Sequence, residues 1–222
     1  MDIYSHQVYI EAQRTKADRQ IASSLLRCWK AIGLPDFLKL DNELSFRGSN
    51  RYPRSPGLVI RLCLYFGVIP VFIPISEPWR NGEIEKFNDT YNQKFFRRQW
   101  FHSYSALKHQ SKHFQRFHNK HHRYSCLKGK TPLEVIEEVD HNPIRPGANT
   151  KVPQLDEMPD GDIILIRFIR SNRLLDVFGE QFKVFKDLVY SYVKAVIVTE
   201  LRSLQVYLGD ELAQQFEYPL TF

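Results

Sequence analysis

A proline-rich break in the second half of the chain separates two stretches whose apolar residues follow different periods. Residues 140–160 contain four prolines and little apolar periodicity, which is typical of a linker. Before this break, strand-like and helix-like stretches alternate, whereas the chain after it consists of short strand-like runs separated by turn residues. The sequence therefore predicts an α/β unit over residues 1–139, a linker over 140–160 and a small all-β unit over 161–222.

The α/β unit opens with alternating residues and continues as a helix. Val8, Ile10 and Ala12 alternate with polar or aromatic residues, which predicts a strand. From Ala17 the apolar period becomes helical, and the helix is expected to stop at Gly33. The next predicted elements are a strand over 37–40, a helix begun by Ser55-Pro56 and closed by Gly67, and a buried strand over 68–73.

Three helices complete the predicted α/β unit. The first starts near Asn81 and directs Ile84, Phe87, Tyr91 and Phe95 inward. A basic helix follows over about 103–119, and a short helix is opened by Thr131-Pro132-Leu133-Glu134.

The all-β unit is predicted from four apolar runs. These runs span residues 161–169, 174–184, 189–198 and 204–208. Turn residues separate them, and a unit of this size built from short strands is typical of a small barrel.

Composition excludes several classes of protein. No apolar run approaches the ~20 residues that a membrane helix needs, and the first residues show no secretory signal. Cys28, Cys63 and Cys126 are odd in number and widely spaced, which favours reduced thiols in a cytoplasmic protein over a disulfide framework or a zinc site.

Positive charge is concentrated before the linker. The net charge is +6, and residues 97–130 contain nine Lys and Arg, six of the eight histidines and no acidic residue. Such a block indicates either a polyanion-binding surface or a solvated helix face, and charge alone does not separate the two. His118, His121 and His122 lie near Cys126 without the spacing of a zinc site, and we expect them on a DNA-facing helix.

Two carboxylates, Asp41 and Glu85, lie at positions where α/β proteins commonly bind ligands. Asp41 follows a predicted strand, and Glu85 lies in the first turn of a predicted helix with Asn81, Asp89 and Asn92 on the same side. Carboxylates that converge from a strand end and a helix can hold divalent ions. By periodicity alone, however, a turn-forming Asp and a Glu that serves the helix dipole explain the pattern as well.

The order of several short motifs resembles one family. The motifs are Asp41-Asn42-Glu43, Gly67-Val68, Pro78-x-x-Asn81-Gly82-x-x-Glu85 and His121-x-Arg123-Tyr124-Ser125-x-Leu127-x-Gly129-x-Thr131-Pro132-x-Glu134. In this order they resemble the integrase catalytic core of retroviral integrases and of bacterial insertion-sequence transposases, the DDE enzymes with an RNase H-like fold. The resemblance covers about residues 1–139, and it implies an RNase H-like α/β core.

The resemblance also implies a chemistry and a set of site residues. Asp41 matches the family's second catalytic Asp, and Glu85 matches its catalytic Glu. Both would be catalytic residues and ligands of Mg²⁺ or Mn²⁺ in a two-metal site that cuts donor DNA ends and joins a 3′-hydroxyl to target DNA. The residues expected beside DNA phosphates are Arg80, Asn81, Lys86, Asn92, Arg97, Arg98, Arg123, Lys128 and Lys130.

The sequence departs from the family pattern at three places. Glu43 stands where the family usually has Gly, and the interval from Asp41 to Glu85 is longer than is common. Asp2 matches a noncatalytic Asp of the family, so the first catalytic Asp is missing from this chain. We therefore expect an N-terminally truncated core, with its first strand missing, that is inactive alone. The alternative is a non-catalytic DNA-binding or oligomerising remnant that acts as a passive or inhibitory partner of an intact transposase.

The all-β unit also has a counterpart in the resemblance. Its first run resembles the small SH3-like barrel that follows many integrase cores, where it contacts DNA or the partner protomer. The expected partners are therefore DNA, as element ends and target, and further copies of the chain, with no membrane and no small-molecule substrate. A nucleoid-associated cytoplasmic protein of a prokaryote is expected.

Overall fold

The computed structural model describes residues 1–139 and 142–221, which form a mixed α/β fold. The helices are α1 (Asp18–Ile32), α2 (Leu44–Arg47), α3 (Leu58–Tyr65), α4 (Gly82–Lys94), α5 (Tyr104–His121) and α6 (Pro132–Glu138). The strands are β1 (Phe37–Leu40), β2 (Ile69–Phe72), β3 (Asp162–Phe168), β4 (Leu174–Val177), β5 (Glu180–Lys183), β6 (Tyr192–Val198), β7 (Ser203–Leu208) and β8 (Glu211–Glu217). A 3-10 turn, Pro78–Asn81, leads into α4.

One sheet contains strands from both predicted units. Its order is β1-β2-β3-β6-β7-β8, with β1, β2 and β3 parallel and the later pairs antiparallel. β3 joins β2 through the pairs Val71↔Ile164 and Phe72↔Leu165. The strands after the linker therefore continue the sheet that the two strands before it begin.

A separate β-hairpin covers one side of this sheet. β4 pairs with β5 through a two-residue turn of Phe178 and Gly179, both at positive φ, 55° and 96°. Positive φ at both turn residues gives the twist that two-residue hairpins need, and glycine adopts it at no steric cost. The ring of Phe178 is buried and packs edge-on against Phe72 of β2, with ring centroids 5.2 Å apart.

A single apolar core runs under both predicted units. Trp29 of α1, Val59 of α3 and Phe72 of β2 belong to the same buried cluster as Leu165 of β3 and Leu204 of β7. Burial on this scale is the main favourable term in folding, so the two units share the source of their stability.

Several predicted elements are confirmed. The strand 37–40, the buried strand after Gly67, the helix after Asn81 and the basic helix are all present. α6 begins with the full capping box: the Thr131 hydroxyl accepts from the Glu134 N–H, and the Glu134 carboxylate accepts from the Thr131 N–H. The helix expected from Ser55-Pro56 starts later, with Gly57 as its N-cap residue.

The strand predicted from Val8, Ile10 and Ala12 is absent from the described residues, and this prediction was wrong. The chain here is extended, but its backbone is held by side chains of α5. The Asn119 amide donates to the Val8 carbonyl and accepts from the Val8 N–H, both at 3.0 Å, and the Gln115 side chain accepts from the Ile10 N–H at 2.8 Å. Side-chain amides replace the neighbouring strand that the alternation implies.

The region after the linker is all-β, as predicted. The predicted runs coincide with β3, the β4–β5 hairpin, β6 and β7, and β8 follows them. The structure shows β3, β6, β7 and β8 as an extension of the larger sheet, and a closed SH3-like barrel is not confirmed.

Candidate active site

Asp41 lies at the carboxyl end of β1 and is exposed. Its Oδ1 accepts a hydrogen bond of 2.9 Å from the Glu43 N–H, which closes a local turn. Glu43, which stands where the resemblance leads one to expect Gly, forms an ion pair of 2.8 Å with Lys16. The turn therefore remains formed despite the substitution, and it ties this loop to the N-terminal segment.

Asn42 joins the ends of the two parallel strands. Its Nδ2 donates to the carbonyl of Ile73, just after β2, at 2.7 Å, and its Oδ1 accepts from Arg167 of β3 at 2.8 Å. The residue next to Asp41 is thus fixed from both the α/β and the all-β parts of the chain.

Arg167 is buried, with 4% of its surface exposed. Its guanidinium donates to four oxygens: the Asp176 carbonyl at 3.0 Å, the Ile73 carbonyl at 3.0 Å, the Ile166 carbonyl at 2.9 Å and the Asn42 side chain. All four acceptors are neutral, and burial lowers the pKa of Arg167 to about 10. Arg167 is not among the residues predicted from the sequence. Its position in the alternating run 161–169, where a cation takes an inward position, was the signal that could have indicated it.

Glu85 lies in the first turn of α4 and is exposed. The start of this helix is tied to β1, because the Lys39 ammonium donates to the carbonyl of Arg80 in the preceding turn. The elements that precede the two predicted catalytic residues, β1 before Asp41 and the 3-10 turn before α4, therefore contact each other.

The described part of the chain has no ready-made cluster of three metal ligands. Residues 1–139 and 142–221 contain no group of three or more His, Cys, Asp or Glu arranged so that they could hold one. Hard divalent ions take six or more oxygen ligands, and Mg²⁺ usually binds through one or two carboxylates together with substrate phosphates and water. Asp41 and Glu85 remain the candidate carboxylates for such an ion.

Three of the predicted DNA-contacting cations are engaged in ion pairs. Arg80 pairs with Glu77 at 2.6 Å, Arg123 with Glu134 at 3.2 Å and Lys130 with Glu138. The other predicted DNA-contacting residues differ in exposure. The exposed ones are Lys86, Arg97, Arg98 and Lys128, and the half-buried ones are Asn81 and Asn92. The effective positive charge beside the candidate site is therefore smaller than the sequence alone suggests.

The histidines near Cys126 are only partly on the surface. His118 is 2% exposed, its ring stacks on His122, and its Nε2 lies 2.9 Å from the Tyr124 hydroxyl. Burial lowers the pKa of His118 to about 4 and also lowers the pKa of His122. His118 is therefore a core residue that cannot itself contact DNA, whereas His121 is exposed, and the expectation that their helix faces DNA stays a prediction.

A comparison with known protein families gives one match. Residues 67–132 match the integrase core domain, a segment that begins at Gly67, contains β2, α4 and α5, and ends at the start of α6. The matched segment includes Glu85 and lies after Asp41. No curated protein matches the chain. In the described residues, no helix has both the length and the apolar character needed to cross a membrane.

Proposed function

We propose that this protein acts on DNA as a transposase- or integrase-type recombination core, because residues 67–132 match the integrase core domain. The reaction would be cutting of donor DNA ends and joining of the 3′-hydroxyl to target DNA. The observation that supports this proposal most directly is the family match itself, which contains the Asn81-Gly82-x-x-Glu85 helix start.

Asp41 and Glu85 are the proposed catalytic carboxylates. Both are exposed, and the elements that precede them, β1 and the turn before α4, are joined by the Lys39 contact. Integrase cores generally depend on a divalent metal, Mg²⁺ or Mn²⁺, which would supply charge stabilisation at the phosphodiester. The contribution of this chain is to hold the two carboxylates, and the Asn42 side chain fixes the loop that bears one of them.

Exposed cations on α4 and just beyond its end are the proposed contacts to DNA phosphates. Lys86 lies beside Glu85 on α4, and Arg97 and Arg98 follow the end of that helix. Lysine and arginine neutralise phosphates without reading the base sequence, so these residues would position DNA and leave sequence unread. A homo-oligomer on DNA remains part of the proposal.

A second candidate function is a non-catalytic DNA-binding partner of an intact transposase. It is favoured by one observation: the described residues contain no group of three or more potential metal ligands. Such a protein would retain DNA-binding and oligomer surfaces and would occupy DNA ends without joining them.

A strand-transfer assay separates the two functions. The full chain is incubated with a labelled DNA duplex, a target plasmid and Mg²⁺ or Mn²⁺, and joined products are resolved on a gel. If the chain is active as it stands, against the expectation of inactivity drawn from its missing first catalytic Asp, Glu85→Gln should abolish joining. Glu83→Gln, an exposed matched control on the same helical turn, should retain it. Salt-sensitive duplex binding without joining in either metal would instead support the non-catalytic partner. Joining that survives Glu85→Gln would overturn the assignment of Glu85.

A further inference from the structure

Two adjoining grooves lie along α5, one of them on its side toward α1, and the proposed site uses neither of them. Their volumes are about 640 Å³ and about 490 Å³, and Lys108 lines both. We name them together the α1–α5 groove. Its cationic lining residues are Arg14, Arg19, Arg27, Lys108, Lys112 and Arg116.

The α5 wall presents cations at regular steps. Lys108, Lys112 and Arg116 are four residues apart, so they lie on one face of the helix with a rise of about 6 Å between neighbours. One strand of DNA has a phosphate every ~3.4 Å along the helix axis, so this row spans about three phosphates. No acidic residue lines this part of the groove within the described chain.

The α1 wall contains one acidic residue, and it is neutralised. Glu11 pairs with Arg27 at 2.7 Å and accepts a hydrogen bond of 2.8 Å from the Ser24 hydroxyl. Burial raises the pKa of Glu11, but these contacts outweigh it, so the pKa is lowered overall. Arg14 and Arg19 remain exposed on the same wall. The net charge of the groove is therefore strongly positive.

Aromatic rings hold the cations in place without cancelling their charge. The guanidinium of Arg14 lies 4.7 Å from the ring centroid of Tyr104, and the Lys108 ammonium lies 5.8 Å from the same ring. The Lys112 ammonium lies 3.6 Å from the centroid of Tyr9. The Tyr104 hydroxyl donates to the Ala12 carbonyl at 2.6 Å, which fixes the ring. A cation that rests on a fixed ring loses little further freedom when a phosphate binds it.

Both surfaces contain paired and unpaired cations. Arg80, Arg123 and Lys130 of the predicted DNA-contacting set have carboxylate partners. In the groove Arg27 is paired with Glu11, whereas Arg14, Lys108 and Arg116 form no ion pair with the described residues. An ion pair links the segment that carries Arg14 to the candidate site, because Lys16, two residues after Arg14, pairs with Glu43 in the loop after Asp41.

We propose that the α1–α5 groove binds the phosphate backbone of a DNA duplex, as a surface additional to the one beside Glu85. This inference rests on the proposed function, since it takes DNA as the substrate class. The contacts are electrostatic and indifferent to base sequence, because the lining offers ammonium and guanidinium groups on rings. The groove supplies most of the salt-dependent affinity of the chain for DNA.

The test compares two triple variants with the same change in charge. Arg14→Gln, Lys108→Gln and Arg116→Gln remove three of the six positive charges that line the groove. Lys183→Gln, Lys186→Gln and Arg202→Gln remove three positive charges from exposed positions after the linker. Fluorescence anisotropy measures the affinity of the full chain for a labelled duplex of arbitrary sequence between 50 and 200 mM salt. Affinity of the groove variant is expected to fall at least tenfold at low salt. Its slope of log affinity against log salt should be reduced by about 2 to 3, since each phosphate contact contributes ~0.9.

The control triple is expected to stay within about twofold of the unaltered chain, and equal thermal melting of all three proteins checks the fold. The groove proposal is overturned if both triple variants weaken DNA binding equally, or if the groove variant does not weaken it. In either case the proposed function is still tested separately by the strand-transfer assay with Glu85→Gln. Absence of duplex binding by the unaltered chain at low salt overturns both. Weakening by the groove triple alone supports the groove even if no strand transfer is found.

Discussion

The buried guanidinium of Arg167 donates its hydrogen bonds to neutral acceptors only. Its acceptors are held by four strands: Asn42 and Ile73 follow β1 and β2, and the Ile166 and Asp176 carbonyls lie in β3 and β4. The guanidinium therefore replaces its hydration shell with an ordered set of oxygens. Burying a charge is costly unless hydrogen bonds compensate for it. The position next to Asp41 therefore depends on a residue from the far side of the linker.

Arg167→Met is expected to destabilise the protein by about 2–4 kcal/mol, because it leaves the Asn42 oxygen and the Ile73 carbonyl without their donor while relieving the cost of burying a charge. Urea unfolding followed by circular dichroism measures the change. Arg170→Met, at an exposed position beyond the end of β3, is the control and should alter stability by less than about 0.5 kcal/mol. Equal stability of the two variants would show that the Arg167 hydrogen bonds contribute nothing net.

His118 makes the stability of the protein depend on pH. Burial, with smaller contributions from His122, His6 and Lys94, lowers the pKa of His118 from its ordinary value of 6.5 to about 4. Between these two values the unfolded chain binds a proton that the folded chain does not bind. The free energy of unfolding should therefore be unaffected by this residue above about pH 6.5 and should fall as the pH falls from about 6.5 to about 4.

Thermal melts at closely spaced pH values measure this slope. His118→Gln should flatten it while keeping a partner for the Tyr124 hydroxyl, whereas His121→Gln, exposed on the same helix, should leave it as it is. The prediction fails if the two variants have the same slope.

At the scale of elements, the N-terminal segment behaves as a strand without a sheet. Val8 is 1% exposed and its N–H and carbonyl are both paired, but the partner is the Asn119 amide of α5. The segment has no regular backbone ladder within the described residues, so its order depends on a few side chains.

Asn119→Ala should therefore release this segment. The loss of two buried hydrogen bonds is expected to cost about 1–3 kcal/mol, since it leaves the Val8 backbone groups unpaired. Hydrogen exchange followed by mass spectrometry should show faster exchange of the amides at Val8 and Ile10. In Asn88→Ala, at an exposed position of α4, those amides should exchange at the unaltered rate. Unchanged protection in Asn119→Ala would mean that apolar packing alone holds the segment.

At the scale of the whole molecule, the shared sheet and core predict cooperative unfolding. Trp29 of α1 is 2% exposed and lies in the same cluster as Leu165 and Leu204. Contacts at the surface also cross the linker: Arg54 pairs with Glu180 at 2.6 Å, and the Tyr192 hydroxyl donates to Glu77 at 2.8 Å.

Leu165→Ala, in a fully buried position of β3, should lower the free energy of unfolding by about 2–5 kcal/mol. The shift should be the same whether unfolding is followed by fluorescence, whose buried reporter Trp29 lies before the linker, or by the strand signal in circular dichroism. Leu201→Ala, at a site 61% exposed, is the control and should change little. A shift seen by circular dichroism alone would show that the two predicted units unfold independently.

Elements with local signals could be predicted from the amino-acid sequence alone. The capping box at Thr131, the stop at Gly33 and the runs after the linker follow from chemistry within a few residues, and the structure confirms them. The family resemblance was likewise available from the order of short motifs, and the match over residues 67–132 confirms it. The roles of Asp41 and Glu85 stay predictions, because an exposed carboxylate gives the same local pattern whether or not it takes part in catalysis.

Contacts between groups that are distant in the sequence could be seen only in the folded structure. Alternation at Val8 and Ile10 predicts a strand, yet a ladder needs a neighbouring backbone, and here the amides of Asn119 and Gln115 stand in that place. Likewise, no local pattern shows that β3 pairs with β2 or that Arg167 reaches Asn42, 125 residues away along the chain. Pairing between strands and burial of a charge depend on the partners that folding brings together, and those partners lie far apart in sequence.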